Sequence, residues 1–430
     1  MNLAIIGAGW SGLAAAIKAV QRGHQVSVFE AAHHLGGRAR SVSASLPDGS
    51  THTLDNGQHI LIGAYTETLA LLRLVGVDPR QALLRQPLRV QFADSTGLVL
   101  PDWPAPFDAL AGILAVRGWR SGDKWSLLRL AVRWYVTGFS CDPGWSVSRL
   151  CAMASNRVMQ DLIEPLCVSA LNIRPELASA QVFLRVLQDS LFSAPGGSNL
   201  LLPRVDLSAL FPDAAAIWLR RHGASLHRGH RVQRLDADGH GWRVEGRPFD
   251  QVLLATAAKD SVRIVESTLA TLGQPAAAQL RAWSDIALAL QHTAITTVYA
   301  FDKAARLVQP MLALPAHSGP AQFVFDRGQL GGPAGLLAFV VSASGGEREA
   351  TQAACVQQGA TELGLALTPV QTVVEKRATF ACTPGLRRPP MAIAPGLWAC
   401  GDYVHGPYPA TLEGAVRSAL AVIQSSGSAS

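Results

Sequence analysis

Residues Leu3 to Gly12, L-A-I-I-G-A-G-W-S-G, leave few folds open to this chain. Leu3 to Ile6 form a short apolar run without a breaker, and Gly7, Gly9 and Gly12 then supply G-x-G-x-x-G spacing before a helix-period pattern begins. Each glycine meets a separate steric demand: Gly7 permits the sharp turn, Gly9 lets the backbone approach a pyrophosphate, and Gly12 lets the helix pack closely on the strand. Trp10 and Ser11 lie between them at the helix start, where free N–H groups face an anion. Leu13, Ala14, Ile17, Ala19 and Val20 make the apolar face, Gly23 ends the helix, and Val26 to Phe29 read as a second strand. Glu30 closes that strand with a carboxylate that suits a ribose 2′-OH and repels a 2′-phosphate. The segment predicts a Rossmann-like dinucleotide site.

The chain has 430 residues, 49% of them hydrophobic, enough for two or three domains with large cores. Its formal charge of +6 favours anionic surfaces, but the 37 basic residues are scattered and no aromatic nucleic-acid motif accompanies them, so no nucleic acid partner is expected. Six cysteines without a C-x-x-C pair read as reduced thiols of a cytosolic protein, and the 12 histidines lack metal spacing; no metal is predicted. A strand starting at residue 3 leaves no room for a cleaved signal, and no uninterrupted apolar run reaches about 18 residues, so any membrane contact is one-sided.

Gly36-Gly37-Arg38 resembles the second dinucleotide motif of the FAD-dependent amine oxidase and phytoene desaturase superfamily, which implies FAD and places this trio at the same pyrophosphate. Read alone, it is a loop with an exposed arginine. Leu54 to Tyr65 narrows the likeness: D-N-G-Q-H followed by L-I-G-A-Y is similar to the squalene-associated FAD-dependent desaturases, which act as hydroxysqualene dehydroxylases in bacterial hopanoid synthesis. The resemblance implies that Gly57 and Gln58 lie beside the flavin ring, whereas Asp55 and Asn56 by themselves read equally as a turn. Met159 to Leu166 and Gly196 to Leu200 resemble the same family. By the same resemblance Val232 holds the adenine through its backbone. Gly396 to Asp402 followed by Ala410 to Ala415 resembles the C-terminal FAD signature. That likeness implies Gly401 and Asp402 at the ribityl chain and a helix start at Thr411, Leu412 and Ala415 near flavin N1 and O2, where the helix dipole would stabilise negative charge.

The fold class expected is α/β, α+β overall: a Rossmann-like FAD-binding domain of the amine oxidase type, with an interleaved mixed sheet and helical substrate domain. Residues 1–75, 200–260 and 390–424 are expected to build the first, and 76–199 with 261–389 the second. Helices are predicted over Thr68 to Val75, Leu207 to Arg221 and Glu347 to Gly364, and through much of Ser146 to Phe192. Strands are predicted near Leu88 to Phe92, Leu98 to Leu100, Thr296 to Phe301, Gln322 to Phe325 and Leu336 to Ser342. Between 103 and 145 lie five of the ten tryptophans, at 103, 119, 125, 134 and 145, interleaved with Arg117, Arg120, Lys124, Arg129 and Arg133. Trp125, Leu128, Val132 and Tyr135 recur at helical spacing. Two readings stand side by side: a membrane-contact patch with snorkelling basic side chains, or core aromatics with a solvated face.

The resemblance implies an oxidoreductase that reductively removes the hydroxyl of hydroxysqualene to give squalene. Its partners would be a long apolar isoprenoid substrate, a membrane and an unidentified electron donor, and its place cytoplasmic, on the inner face of the cytoplasmic membrane. The departing hydroxyl needs a proton, and His59, Tyr403 and His405 are the candidates beside the motifs. The alternatives are an oxidative desaturase of carotenoid precursors and a noncatalytic FAD-containing lipid-binding protein.

Overall fold

The computed structural model describes residues 1–426 except 105, 192–194, 240 and 270–273. Asn2–Ile6 is the centre of a six-stranded sheet. It pairs in parallel with Gln25–Glu30 on one side and Gln251–Leu254 on the other, with Ile5 opposite both Val28 and Leu253. Ser225–Arg228 extends the sheet beyond Gln25–Glu30, Leu397–Ala399 extends it beyond Gln251–Leu254, and Ala392–Ala394 closes that end as the antiparallel strand. Both faces are covered, which explains the unbroken apolar run that opened the sequence. Leu3, Ile5, Val26, Val28 and Leu253 face a core shared with the helices Trp10–Gln21, Pro212–Arg221 and Leu412–Ser426. Ala4, Ile6, Phe29, Val252 and Leu254 face the opposite core, which contains Trp242, Val262 and Trp283.

A second sheet is five-stranded and antiparallel, ordered Met311–Ala313, Phe323–Asp326, Leu336–Ser344, His292–Phe301 and Thr368–Phe380. Phe323, Phe325 and Ala338 pack towards helices drawn from residues 107–191, while Val298, Val324 and Phe339 pack in the core beside Arg348–Leu363. The three expected strands are present: the first and third run longer than expected, and the second is shifted by one residue to Phe323–Asp326. Thr368–Phe380 is an addition: Pro369 and the Glu375-Lys376-Arg377 run disguise it, and both are tolerated because this strand is an edge.

Local chemistry also divides two expected helices. Leu207–Leu210 stops at Phe211, and Pro212 opens the next helix, where a missing N–H costs nothing. Met159–Ile163 takes a π turn ahead of Pro165, whose ring cannot supply the N–H that an α-helix would bond to Asp161. In the tryptophan-rich interval the helices are Phe107–Ala115 and Ser121–Val136. Trp125 and Tyr135 are 66% and 67% exposed, whereas Trp119 and Trp134 are buried core residues, so the core reading holds for those two tryptophans and the outward face is left to the others. Trp119 donates its indole N–H to Asp161 at 3.0 Å, an interior partner that the helical period could not reveal.

Candidate cofactor and substrate site

A single cavity of about 820 Å³ is lined by all three motif regions and by helices drawn from residues 107–191. At one end it meets Gly7, Gly9, Trp10, Ser11, Glu30, Gly36, Gly37 and Arg38, together with Val232. Gly57, Gln58 and His59, then Gly401, Asp402, Thr411, Leu412 and Ala415, also line it. The other wall is apolar, including Leu127, Trp134, Phe139, Leu166, Phe183 and Leu187. These residues come from the helices Ser121–Val136, Glu164–Leu171 and Ala180–Leu191 and the turn after the first of them.

Gly12 does not line the cavity. A Cβ there would stand 2.0 Å from the Gly7 carbonyl oxygen, so its hydrogen side chain is what allows the helix to lie against the turn. Gly9 and Gly37 approach each other so closely that a Cβ on Gly37 would lie 3.3 Å from the Gly9 Cα. The Gly36 N–H donates to the Ala8 carbonyl at 2.9 Å and fastens the second motif to the first. No side chain caps the Trp10–Gln21 helix and no acid occupies its first turn, so its N–H groups remain for an anion in the cavity. Glu30 accepts from the backbone N–H groups of Ala8 at 2.7 Å and Ala32 at 2.9 Å, which sets the carboxylate at the cavity wall. Arg38 donates to Asp402 at 2.5 Å and to the Ala378 carbonyl at 2.7 Å. That pair unites motifs from opposite ends of the chain, and Asp402 holds the Arg38 guanidinium above its ordinary pKa. Glycines open to a phosphate, an uncapped helix start and a ribose-facing carboxylate fit a dinucleotide, and the adjoining apolar wall fits an oily substrate.

The acid candidates separate. Tyr403 is buried away from the cavity, its hydroxyl 3.0 Å from Ser261 Oγ, because the turn at Gly401 folds the ring into the core. His405 is exposed and does not line the cavity either. His59 does line it. Its Nδ1 lies 2.8 Å from the Gly57 carbonyl, so Nδ1 carries the hydrogen, and burial holds the ring below the usual histidine pKa.

The site takes in groups beyond the quoted glycine and acid motifs. Tyr65 and Tyr408 both line it, with ring centroids 6.1 Å apart and planes at 87°. Burial raises the Tyr65 hydroxyl pKa, and that of Tyr408 to about 12. Tyr65 ended a quoted motif and Tyr408 reads from sequence as an aromatic near the flavin, whereas Asn172 and Arg327 escaped sequence reasoning. Asn172, left-handed at the end of the Glu164–Leu171 helix, lines the wall while its amide bonds Thr293 and Thr379. Behind the loop, buried Arg327 donates to Gln58 Oε1 at 3.0 Å. It follows Asp326 at the end of the apolar F-V-F stretch, and that pair of charges closing a strand was its one sequence signal.

The chain is 29% identical over 446 residues to the hydroxysqualene dehydroxylase of Rhodopseudomonas palustris, covering 96% of this chain and 95% of that one. Its likeness to the zeta-carotene desaturase of a Synechocystis species is 36% but spans 76 residues, 18% of this chain and 15% of the other. An oxidoreductase structure from Methanosarcina mazei superposes with a TM-score of 0.71 at 17% identity, covering 99% of this chain and 100% of that one, a likeness of fold. Residues 10–422 match the family described as flavin containing amine oxidoreductase. The chain therefore belongs to the flavin containing amine oxidoreductases, and its cofactor is FAD.

Proposed function

We propose that the protein is an FAD-dependent hydroxysqualene dehydroxylase that converts hydroxysqualene to squalene for hopanoid synthesis. The observation that carries this reading is a single cavity with a dinucleotide cradle at one end and an apolar wall at the other. The full-length similarity to a hydroxysqualene dehydroxylase supports it over the carotenoid-precursor alternative, whose likeness is partial. Residues 1–75, 200–260 and 390–424 form the FAD-binding part of the proposal, and 76–199 with 261–389 the substrate part.

Gly7, Gly9, Trp10, Ser11, Gly36, Gly37 and Arg38 would hold the pyrophosphate region, Glu30 the ribose, Val232 the adenine side, and Gly57, Gln58, Gly401, Asp402, Thr411, Leu412 and Ala415 the flavin side. Gly12 contributes by packing. Reduced FAD, when bound, supplies a hydride equivalent. The balanced change is replacement of a C–O bond by a C–H bond: one hydride, which carries the electron pair, enters at carbon, and the hydroxyl leaves with one added proton as water. The apolar wall orients the chain and excludes bulk water. His59, in its protonated form, is proposed to deliver the proton to the departing oxygen.

The outer faces of Phe107–Ala115 and Ser121–Val136 supply a one-sided membrane contact. Phe107, Leu110, Leu114, Trp125, Val132 and Tyr135 are exposed there, beside exposed Arg117, Arg120, Arg129 and Arg133. Such a face suits anionic headgroups over an apolar interior. Among the described residues no helix is long and apolar enough to cross a membrane. The reading places the protein on the inner face of the cytoplasmic membrane, served by a separate electron donor. The test is anaerobic incubation of dithionite-reduced, FAD-loaded protein with hydroxysqualene: squalene should appear at up to one equivalent per flavin, and a product carrying new double bonds, or none, overturns the assignment.

A further inference from the structure

The loop that follows Thr51–Asp55 is held from behind by two buried charges that do not satisfy each other. Arg327, 4% exposed, begins the 3₁₀ turn Arg327–Leu330, and Asp55 is 1% exposed. Their closest approach is 4.0 Å, beyond hydrogen-bonding range. Asp55 Oδ1 accepts from the Leu207 N–H at 2.8 Å, but Oδ2 is buried without a hydrogen bond. An arrangement tuned for stability would close that gap, because buried charges are expensive unless fully paired. Arg327 instead spends a hydrogen bond on a neutral amide: Nη1 donates to Gln58 Oε1 at 3.0 Å.

That bond decides what Gln58 presents. A guanidinium has donors only, so it captures the amide oxygen and turns the amide nitrogen the other way. Gln58 Nε2 has two hydrogens, and among the described residues its one partner is the His59 carbonyl at 3.5 Å. Gln58 lines the cavity next to His59. The turn carrying Arg327 is itself stiff, since Asp326 accepts from the N–H groups of Leu307 at 3.0 Å and Gln329 at 3.3 Å. The Tyr299 hydroxyl also ties the Asp55 carbonyl to the substrate sheet at 2.9 Å.

We propose that Arg327 is a positioning residue that turns the Gln58 amide donor into the cavity, where it hydrogen-bonds the hydroxyl oxygen of the isoprenoid alcohol and so distinguishes substrate from hydrocarbon product. The inference rests on the dehydroxylase reading and adds its specificity element. A hydrocarbon offers Gln58 nothing, so loss of the hydroxyl abolishes the contact that retained the substrate and favours product release.

The test is binding to oxidised, FAD-loaded protein, which needs no turnover. Hydroxysqualene and squalene, each in the same detergent micelles, are titrated while the flavin absorbance is followed. The wild type should hold the alcohol about tenfold more tightly than the hydrocarbon, the worth of one net hydrogen bond. Gln58→Leu and Arg327→Met should bring the two affinities within about twofold, and the double variant should lose no more than Gln58→Leu, because Arg327 acts through Gln58. Arg327→Lys, which retains a donor, should keep part of the preference and serves if Arg327→Met does not fold. Full alcohol preference in Gln58→Leu overturns the proposal, as does a changed flavin potential with selectivity intact. Squalene formation by the wild type combined with unaltered selectivity in Gln58→Leu refutes this inference alone, whereas alcohol preference without squalene formation refutes the dehydroxylase reading alone.

Discussion

Removing the Glu413 carboxylate tests how the C-terminal motif is joined to the cavity wall. The Thr66–Leu74 helix starts after Tyr65, which supplies no capping side chain. Fully buried Glu413 does so from the C-terminal helix, accepting from Glu67 N–H at 3.1 Å, Thr68 N–H at 2.9 Å and the Thr68 hydroxyl at 2.7 Å. Arg417 adds a contact at 2.7 Å, but its partial exposure makes that the weaker contribution. Loss of a helix cap costs about 1 kcal/mol, and loss of a charged hydrogen bond about 2 kcal/mol, so Glu413→Ala should destabilise by about 3 kcal/mol. For a chain of 430 residues that corresponds to roughly 3 °C in Tm. Glu413→Gln, which keeps shape and one acceptor, should lose about half as much. Urea unfolding gives the global value, and hydrogen exchange at the Glu67 and Thr68 amides reports the cap itself. A loss under about 1 kcal/mol with unchanged exchange at both amides would refute the distant-cap argument.

Burial raises Asp55 from the ordinary 3.8 to about 6. Its folded form then holds a proton that the unfolded chain releases, so wild-type stability relative to Asp55→Asn should fall as pH rises from about 4 through 6, by on the order of 3 kcal/mol. Parallel stability curves for the two proteins across that window would contradict this sign. Gly12→Ala should yield protein with under about a tenth of the wild-type flavin, because overpacking by a methyl at this contact costs several kcal/mol in the turn; yellow protein with full FAD content would count against the packing role. Trp125→Ser with Tyr135→Ser should weaken flotation with anionic liposomes by about tenfold or more, and Arg129→Ser with Arg133→Ser should weaken it chiefly at low salt. Unchanged flotation in both pairs would remove the membrane face. His59→Asn should slow single-turnover squalene formation by about a hundredfold while FAD remains bound, and an unaltered rate would exclude the proposed acid.

Backbone sterics and short-range order govern the features of this fold that are legible along the chain. The strand, glycine turn and helix at Leu3 to Gln21 follow from apolar run, glycine spacing and helical period, and the structure keeps each within a residue or two. Thr66–Leu74 and Arg348–Leu363 were equally legible for the same reason. Contacts between segments far apart in the chain were not. Tryptophans at 119 and 125 look alike in sequence, yet one bonds interior Asp161 and the other faces outward. Tyr403 and His59 both neighbour motif residues, but the turn at Gly401 sends Tyr403 into the core while His59 stays at the cavity wall. Only the tertiary structure decided that Arg38 meets Asp402, that Glu413 caps a helix begun at Thr66, and that Arg327 orients Gln58. A side chain's polarity and period constrain its immediate surroundings, but its hydrogen-bond partner is chosen by which distant surfaces pack together, and that choice belongs to the whole fold.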